Sequence, residues 1–336
     1  MKILVTGATG FLGTALVPLL VEAGHEVRVL ARGDKPKDLP ETYPAAYRAA
    51  LPACEWSLGD VRDPAAVEKA VQGREVVYHL AGLVSRDPRD AHKMYELHVG
   101  GTRVLLAAAA KAKAPRVILA SSSGTIGVSA DRRIATEADD YPIETVGRWP
   151  YYLSKIYEEK IALEHARRGL PVIILNPSLL LGPGDARLSS THDVYKFLHG
   201  RIPAMPKGGI SFVDVRDAAA TFVSALTRGA PGERHLLGAC NLEFDDFFGR
   251  LSRLAKVPLP PLRLPSGLKI LAAHALERRA QKRGAEPDLA AASVEMGEHW
   301  FFVDSSKAER VLGFRPRDPY ETLAETVQYL QRHFVA

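Results

Sequence analysis

The chain has few cysteines, no long hydrophobic run and little excess of either charge, and each shortage removes a class of protein. Its two cysteines, Cys54 and Cys240, lie far apart and in no redox or metal spacing. That excludes a disulfide scaffold and points to a reducing, cytoplasmic setting. The 11 histidines form no His-x-x-x-His or Cys/His array, so no metal site is expected. No stretch approaches the roughly 18 apolar residues of a membrane span. The apolar run Ile3–Val5 stops at Thr6 and Gly7, too soon for a signal-peptide core. The net charge is only +5, from 44 Lys and Arg against 39 Asp and Glu. It permits anionic ligands, and no nucleic-acid partner is expected. What remains is 336 residues, 46% hydrophobic and 25% charged, the composition of a soluble globular enzyme with room for a sizeable core.

The first thirty residues carry the strongest pattern. KILV (2–5) is a continuous apolar run, as in a strand buried on both faces. TGATGFLG (6–13) follows it, then TALVPLLVEAG (14–24) with helical spacing and a terminal glycine, then HEVRVLAR (25–32) as a second strand. This is a βαβ unit with Gly7, Gly10 and Gly13 on its first turn. Glycine suits that turn because a pyrophosphate reaches a helix N-terminus only where no Cβ intervenes. The second strand ends in Arg32, with Lys35 and Lys37 behind it; the one nearby acid, Asp34, sits where a turn role suffices. A basic residue there suits a ribose 2′-phosphate, so NADP(H) is the preferred cofactor and NAD(H) the alternative.

The alternation continues. EWSLGD (55–60), EVVYHLAG (75–82) and PRVILASSS (115–123) read as strands, while 63–72 and 91–112 read as helices. Repeated strand–helix alternation predicts an α/β fold, a Rossmann-type doubly wound parallel sheet with ligands at the carboxyl ends of its strands. Asp60, Leu80, Ala81, Gly82 and the serines 121–123 fall there. The expected division is a dinucleotide-binding domain over 1–177 and 211–240, and a smaller, discontinuous substrate domain over 178–210 and 241–336.

These blocks together resemble the extended short-chain dehydrogenase/reductase family, in particular its dihydroflavonol-reductase-like and hydroxysteroid-dehydrogenase-like branch. TGATGFLG, GDVRD (59–63), HLAG (79–82), NPSLLLGPGD (176–185), FVDVRDAAAT (212–221) and DSSKAERVLGFRPR (304–317) match its blocks in order, over nearly the whole chain. The resemblance implies a cofactor site of Gly7, Thr9, Gly10, Phe11, Leu12 and Gly13 at the phosphates. Asp60 and Val61 would lie at the adenine, with Leu80, Ala81, Gly82, Pro177 and Ser178 further along. It also gives meaning to WPYYLSK (149–155), where Tyr151 and Lys155 share a helix face at i,i+4 and Tyr152 points a quarter-turn away. The implied catalytic set is Ser123, Tyr151 and Lys155, with the last two also touching cofactor. One departure is His98, in HVGGT, where relatives commonly carry Asn. It is either a locally packed helix histidine or part of a polar relay below the site.

Reduction of a carbonyl needs hydride at carbon and a proton at oxygen. Tyrosine is a suitable donor at neutral pH only if its pKa, about 10 when free, is brought down. A drop of about three units corresponds to about 4 kcal/mol, of the order that a lysine ammonium and an oxidised nicotinamide supply. Ser123 is followed by Gly124 and Thr125, so the acidic pair of nucleotide-sugar dehydratases is missing. Leu179, Leu180 and Leu181 replace the polar block usual in epimerases; they either wall an apolar pocket or pack in the core. The expected activity is NAD(P)H-dependent reduction of a ketone or aldehyde on a small hydrophobic molecule, or the reverse oxidation. A nucleotide-sugar epimerase with bound NAD and a non-catalytic NADP-sensing scaffold are the alternatives. An amphipathic helix over 268–284 should form the substrate lid. Its cluster Arg278, Arg279, Lys282 and Arg283 reads as a solvated face or a docking patch for a carrier, and a homodimer is left open.

Overall fold

The computed structural model describes residues 1–114, 116–282 and 290–335. Strands β1 (Lys2–Thr6), β2 (Glu26–Ala31), β3 (Glu55–Leu58), β4 (Val76–His79), β5 (Arg116–Ala120) and β6 (Val172–Pro177) alternate with helices. After β7 (Leu179–Leu181) and β8 (Gly209–Asp214) come β9 (Arg234–Leu237), β10 (Cys240–Glu243) and β11 (Trp300–Phe301). The main sheet has seven strands in the order β3-β2-β1-β4-β5-β6-β9, every pair parallel. Strand order reverses between β1 and β4, which opens the crevice where α/β sheets bind dinucleotides.

The apolar runs are continuous because both faces of this sheet are covered. Ile3, Val5, Val76, Tyr78, Ile118, Ile173 and Leu175 point into one core. Their alternating neighbours Leu4, Val77, Val117, Leu119, Val172 and Ile174 point into the other, as a period of two requires. The first face is covered by the helices Phe11–Glu22 and Val215–Ser224, the second by Pro64–Val71, Thr102–Lys111 and Pro150–Arg167. Leu16 and Leu20 are wholly buried between helix and sheet, where truncation to Ala costs about 2–5 kcal/mol.

The predicted helix 91–112 is divided. Ala91–Tyr95 and Thr102–Lys111 are α-helical, and Glu96–Gly101 between them is a π-helical turn. Such turns carry an extra residue and recur at functional sites. This one buries His98 and brings Gly101 so near Val61 that a Cβ there would lie 2.8 Å from Val61 Cγ1.

The smaller sheet is built around β8, which pairs parallel with β7 and β11 and antiparallel with β10. The boundary expected at 210/211 therefore runs through a strand of the smaller sheet. Beside it, helix Ser266–Lys282 is anchored by Lys269, whose buried ammonium donates to the Met205 carbonyl at 3.1 Å and pairs with Glu298. Arg278, Arg279 and Lys282 are exposed on this helix; Arg283 lies outside the described residues. Among the described residues, no helix is long and apolar enough to cross a membrane.

Candidate functional site

The glycine turn joins β1 to the helix Phe11–Glu22 at the carboxyl edge of the main sheet. Gly7 has φ 72°, and a Cβ on it would lie 2.5 Å from the Leu80 carbonyl carbon. A side chain at Gly13 would lie 2.4 Å from the Gly7 carbonyl oxygen. Both glycines therefore let the turn close against β4 and against its own helix. Gly10 is the N-cap; no side chain caps this helix and its first turn holds no acid. Its first N–H groups have no intrahelical acceptor, an arrangement that suits a phosphate. Thr9, Phe11 and Leu12 lie in this same turn, so the local structure suits a dinucleotide.

Further along the crevice, Asp60 follows β3. Its carboxylate is gripped by Arg62, with Nε at 2.9 Å and Nη2 at 2.8 Å. The hydrogen bond from Arg62 holds its pKa below the usual carboxylate range. Val61 packs beneath it on Gly101. Arg32, just past β2, is exposed and close enough to Asp60 to stabilise its charge. Lys35 is turned away, donating to the carbonyls of Pro52 and Cys54 at 2.9 and 2.8 Å. Leu80, Ala81 and Gly82 leave β4 over the glycine turn. Pro177 ends β6, and Ser178 donates through both its N–H and its hydroxyl to the Leu237 carbonyl.

Tyr151 and Lys155 lie on the first turns of helix Pro150–Arg167, started by Pro150 at its N1 position. The resemblance gives the substrate-holding hydroxyl to Ser123; Ser122, beside it, is the serine whose hydrogen bonding bears on the Tyr151 pKa. Ser122 is still extended (φ −146°, ψ 143°), so its side chain points opposite to that of Ser121, while Ser123 already lies in the turn Ser123–Thr125. The carbonyl of Ser123 accepts from the Ile126 and Gly127 N–H groups. Burial pushes Tyr151 up to about 12, opposed by the Ser122 hydrogen bond and reinforced by the charge of Glu158. Lys155 is buried, donates to the Ala120 carbonyl at 2.7 Å and contacts Glu158.

Two adjacent carboxylates on this helix, Glu158 and Glu159, are wholly buried. Glu159 accepts from Ser121, Thr125, Asn176 and Tyr141, so it fixes the serine segment to the helix. His98 accepts the Leu83 N–H on Nε2 at 3.0 Å, so Nδ1 carries the proton and donates to Ser154 at 2.8 Å. Ser154 in turn donates to the Tyr151 carbonyl. Burial holds His98 neutral, with a pKa well below 6.5. Both ring nitrogens are thus used in local packing, and the ring lies edge-on to Tyr151 with centroids 5.9 Å apart.

The surroundings of Tyr152 are aromatic. Tyr152 contacts Tyr151, Trp149 and Phe301, with centroids 5.1, 6.2 and 5.7 Å apart. Near it, Arg86 forms a two-bond ion pair with Asp193, at 2.8 and 2.6 Å. In the leucine triplet Leu181 is core, wholly buried among Phe197, Phe212 and Leu323, while Leu179 and Leu180 are half-buried, each packed on a different cluster. Phe301 beside Tyr152 and the Arg86–Asp193 pair were not legible as site neighbours, because distant segments bring them there.

Residues 3–238 match the NAD dependent epimerase/dehydratase family. The chain is 32% identical to a putative dihydroflavonol 4-reductase of Synechocystis, over 98% of this chain and 94% of that one. It is also 32% identical to sterol demethylase protein B of Methylococcus capsulatus, over 98% of both. A solved nucleoside-diphosphate-sugar epimerase from Pseudomonas aeruginosa superposes with a TM-score of 0.76 at 26% identity, covering 100% of this chain and 99% of the other. Motif order, sheet order and these likenesses agree: the chain belongs to the NAD dependent epimerase/dehydratase family.

Proposed function

We propose that the chain is an NAD(P)H-dependent reductase of a ketone or aldehyde on a hydrophobic framework, with the reverse oxidation available. The observation that carries this is the placement of Tyr151 and Lys155 one turn apart on helix Pro150–Arg167, with Lys155 bonded to the Ala120 carbonyl at the end of β5. The serine segment is followed by Gly124 and Thr125, not by the acidic pair that abstracts a carbon-bound proton in dehydratases. The bound nicotinamide would supply the hydride. Ser122 holds the carbonyl oxygen beside Tyr151, Tyr151 gives it a proton, and Lys155 supplies positive charge one turn away. Tyr152, half-buried on the core formed by Trp149 and Phe301, gives the neighbourhood of Tyr151 an apolar character, in keeping with the flavonol and sterol in the names of the two relatives. Arg32 at the end of β2, with no acid on the strand end itself, favours NADP(H). An intact Tyr–Lys pair argues against a non-catalytic sensor.

The likeness to a sugar-nucleotide epimerase favours a second reading, in which the same Tyr–Lys pair serves an internal oxidation and reduction. The two separate in one experiment. Cofactor oxidation is followed with a homologous series of aryl and alkyl ketones and aldehydes, beside turnover of UDP-sugars. A rise in kcat/KM with apolar size, about 0.8 kcal/mol per buried methylene, with no UDP-sugar turnover, is expected. A flat series with sugar turnover transfers the assignment to the epimerase.

A further inference from the structure

Lys155 is not free to act on Tyr151 alone, because a carboxylate lies against it. Glu158, three residues on and wholly buried, contacts the ammonium and receives the Thr102 hydroxyl at 3.2 Å. The Thr102 oxygen lies 2.8 Å from His79 Nε2, and His79 Nδ1 lies 2.8 Å from the Thr6 hydroxyl. Since Thr102 gives its proton to Glu158, it accepts from Nε2–H, and Nδ1 accepts from Thr6. The donors Thr6, His79 and Thr102 thus run in one direction, from the glycine turn to the carboxylate, an orientation that suits an ionised Glu158.

We propose that Glu158 is a positioning residue that balances the charge of Lys155 and thereby sets the pH at which Tyr151 exchanges its proton. This rests on Tyr151 being the acid/base group. While Glu158 is ionised, the lysine field is compensated and Tyr151 stays a neutral proton donor. Once Glu158 takes a proton, the ammonium acts unopposed and favours the phenolate. The charged and titratable groups around the carboxylate are Lys155, Tyr151 and Glu159 on its own helix. His79 faces it through Thr102, and His98 lies on the π-helical turn; burial keeps both rings neutral near pH 7. Burial pushes Glu158 up to about 7, opposed chiefly by Lys155, so the two states exchange in the neutral range.

The test titrates Tyr151 directly by tyrosinate absorbance. The difference between the full protein and Tyr151→Phe is compared with the same difference in a Glu158→Gln background. Removing the counter-charge should lower the pH of the Tyr151 step by about one unit or more, or bring into view a step below pH 11 that the parent lacks. An unmoved step overturns the proposal. If Glu158→Gln does not fold, Glu158→Asp draws the counter-charge back from the ammonium, and a smaller shift in the same direction is expected. No shift there overturns it equally. This readout needs no substrate, so it stands apart from the reductase assignment: failure to reduce any carbonyl would sink that assignment and leave the titration to decide the role of Glu158.

Discussion

Gly124 and Tyr152 are in direct contact: a Cβ on Gly124 would lie 2.1 Å from Tyr152 Cε1. The turn after β5 therefore has no side chain where the ring lies, and Tyr152 packs there on Trp149 and Phe301. Tyr152→Phe keeps that packing and should change kcat less than threefold by the packing argument. Tyr151→Phe removes the proton donor and should lower kcat by about a hundredfold or more. Gly124→Ala must displace the ring and should raise KM for ring-bearing substrates. Steady-state kinetics on the three variants check this; equal losses in the two tyrosine variants would undo the assignment of Tyr151.

Ser122 and Ser123 separate in the same assay. Ser122 is the serine whose hydrogen bonding bears on Tyr151, so Ser122→Ala should lower kcat by about 10²-fold, the usual loss for one donor at a developing oxyanion. Ser123→Ala leaves its carbonyl to bond Ile126 and Gly127 as before, and should lose far less. A larger loss at Ser123 would return the role to that residue.

Much of this was legible because it is local. The apolar runs and the glycine turn identify β1, β2, β3, β4 and β5 without reference to anything distant, and the i,i+4 spacing puts Tyr151, not Tyr152, on the face of Lys155. What failed to show is decided by contacts across the fold. Three serines in a row differ only by which side of an extended strand each one takes. Adjacent glutamates at 158 and 159 on a helix have the pattern of a solvated face, yet Lys155, Thr102, Ser121 and Asn176 enclose them. Leu179–Leu181 is equally apolar as pocket wall or as core, and only the pairing of β7 with β8 shows that Leu181 is the one in the core.

Arg32→Asp should move cofactor preference from NADP(H) towards NAD(H). The change removes a partner for a 2′-phosphate and adds an acceptor for a ribose hydroxyl at the end of β2. Fluorescence titration with both cofactors gives the ratio of dissociation constants. An unchanged ratio would mean that neither Arg32 nor the strand end reads the ribose.

Acid stability should depend on the buried histidines. His79 is pushed down to about 3, His235 to about 4, and His98 well below 6.5, each mainly by burial. A folded pKa below the unfolded one means that the unfolded chain binds more protons, so stability falls as pH drops below about 6.5. Glu158 works in the opposite sense between its unfolded value of 4.5 and its folded value of about 7. It cancels about one proton of the effect. His98→Asn removes one of the histidine protons while leaving a side chain able to donate and accept. Its melting temperature should therefore fall less steeply than that of the parent between pH 6.5 and 5. The two slopes differ by up to about 1.4 kcal/mol per pH unit, or a few degrees over the range. Parallel slopes in thermal melts would mean that His98 takes up its proton in the folded protein.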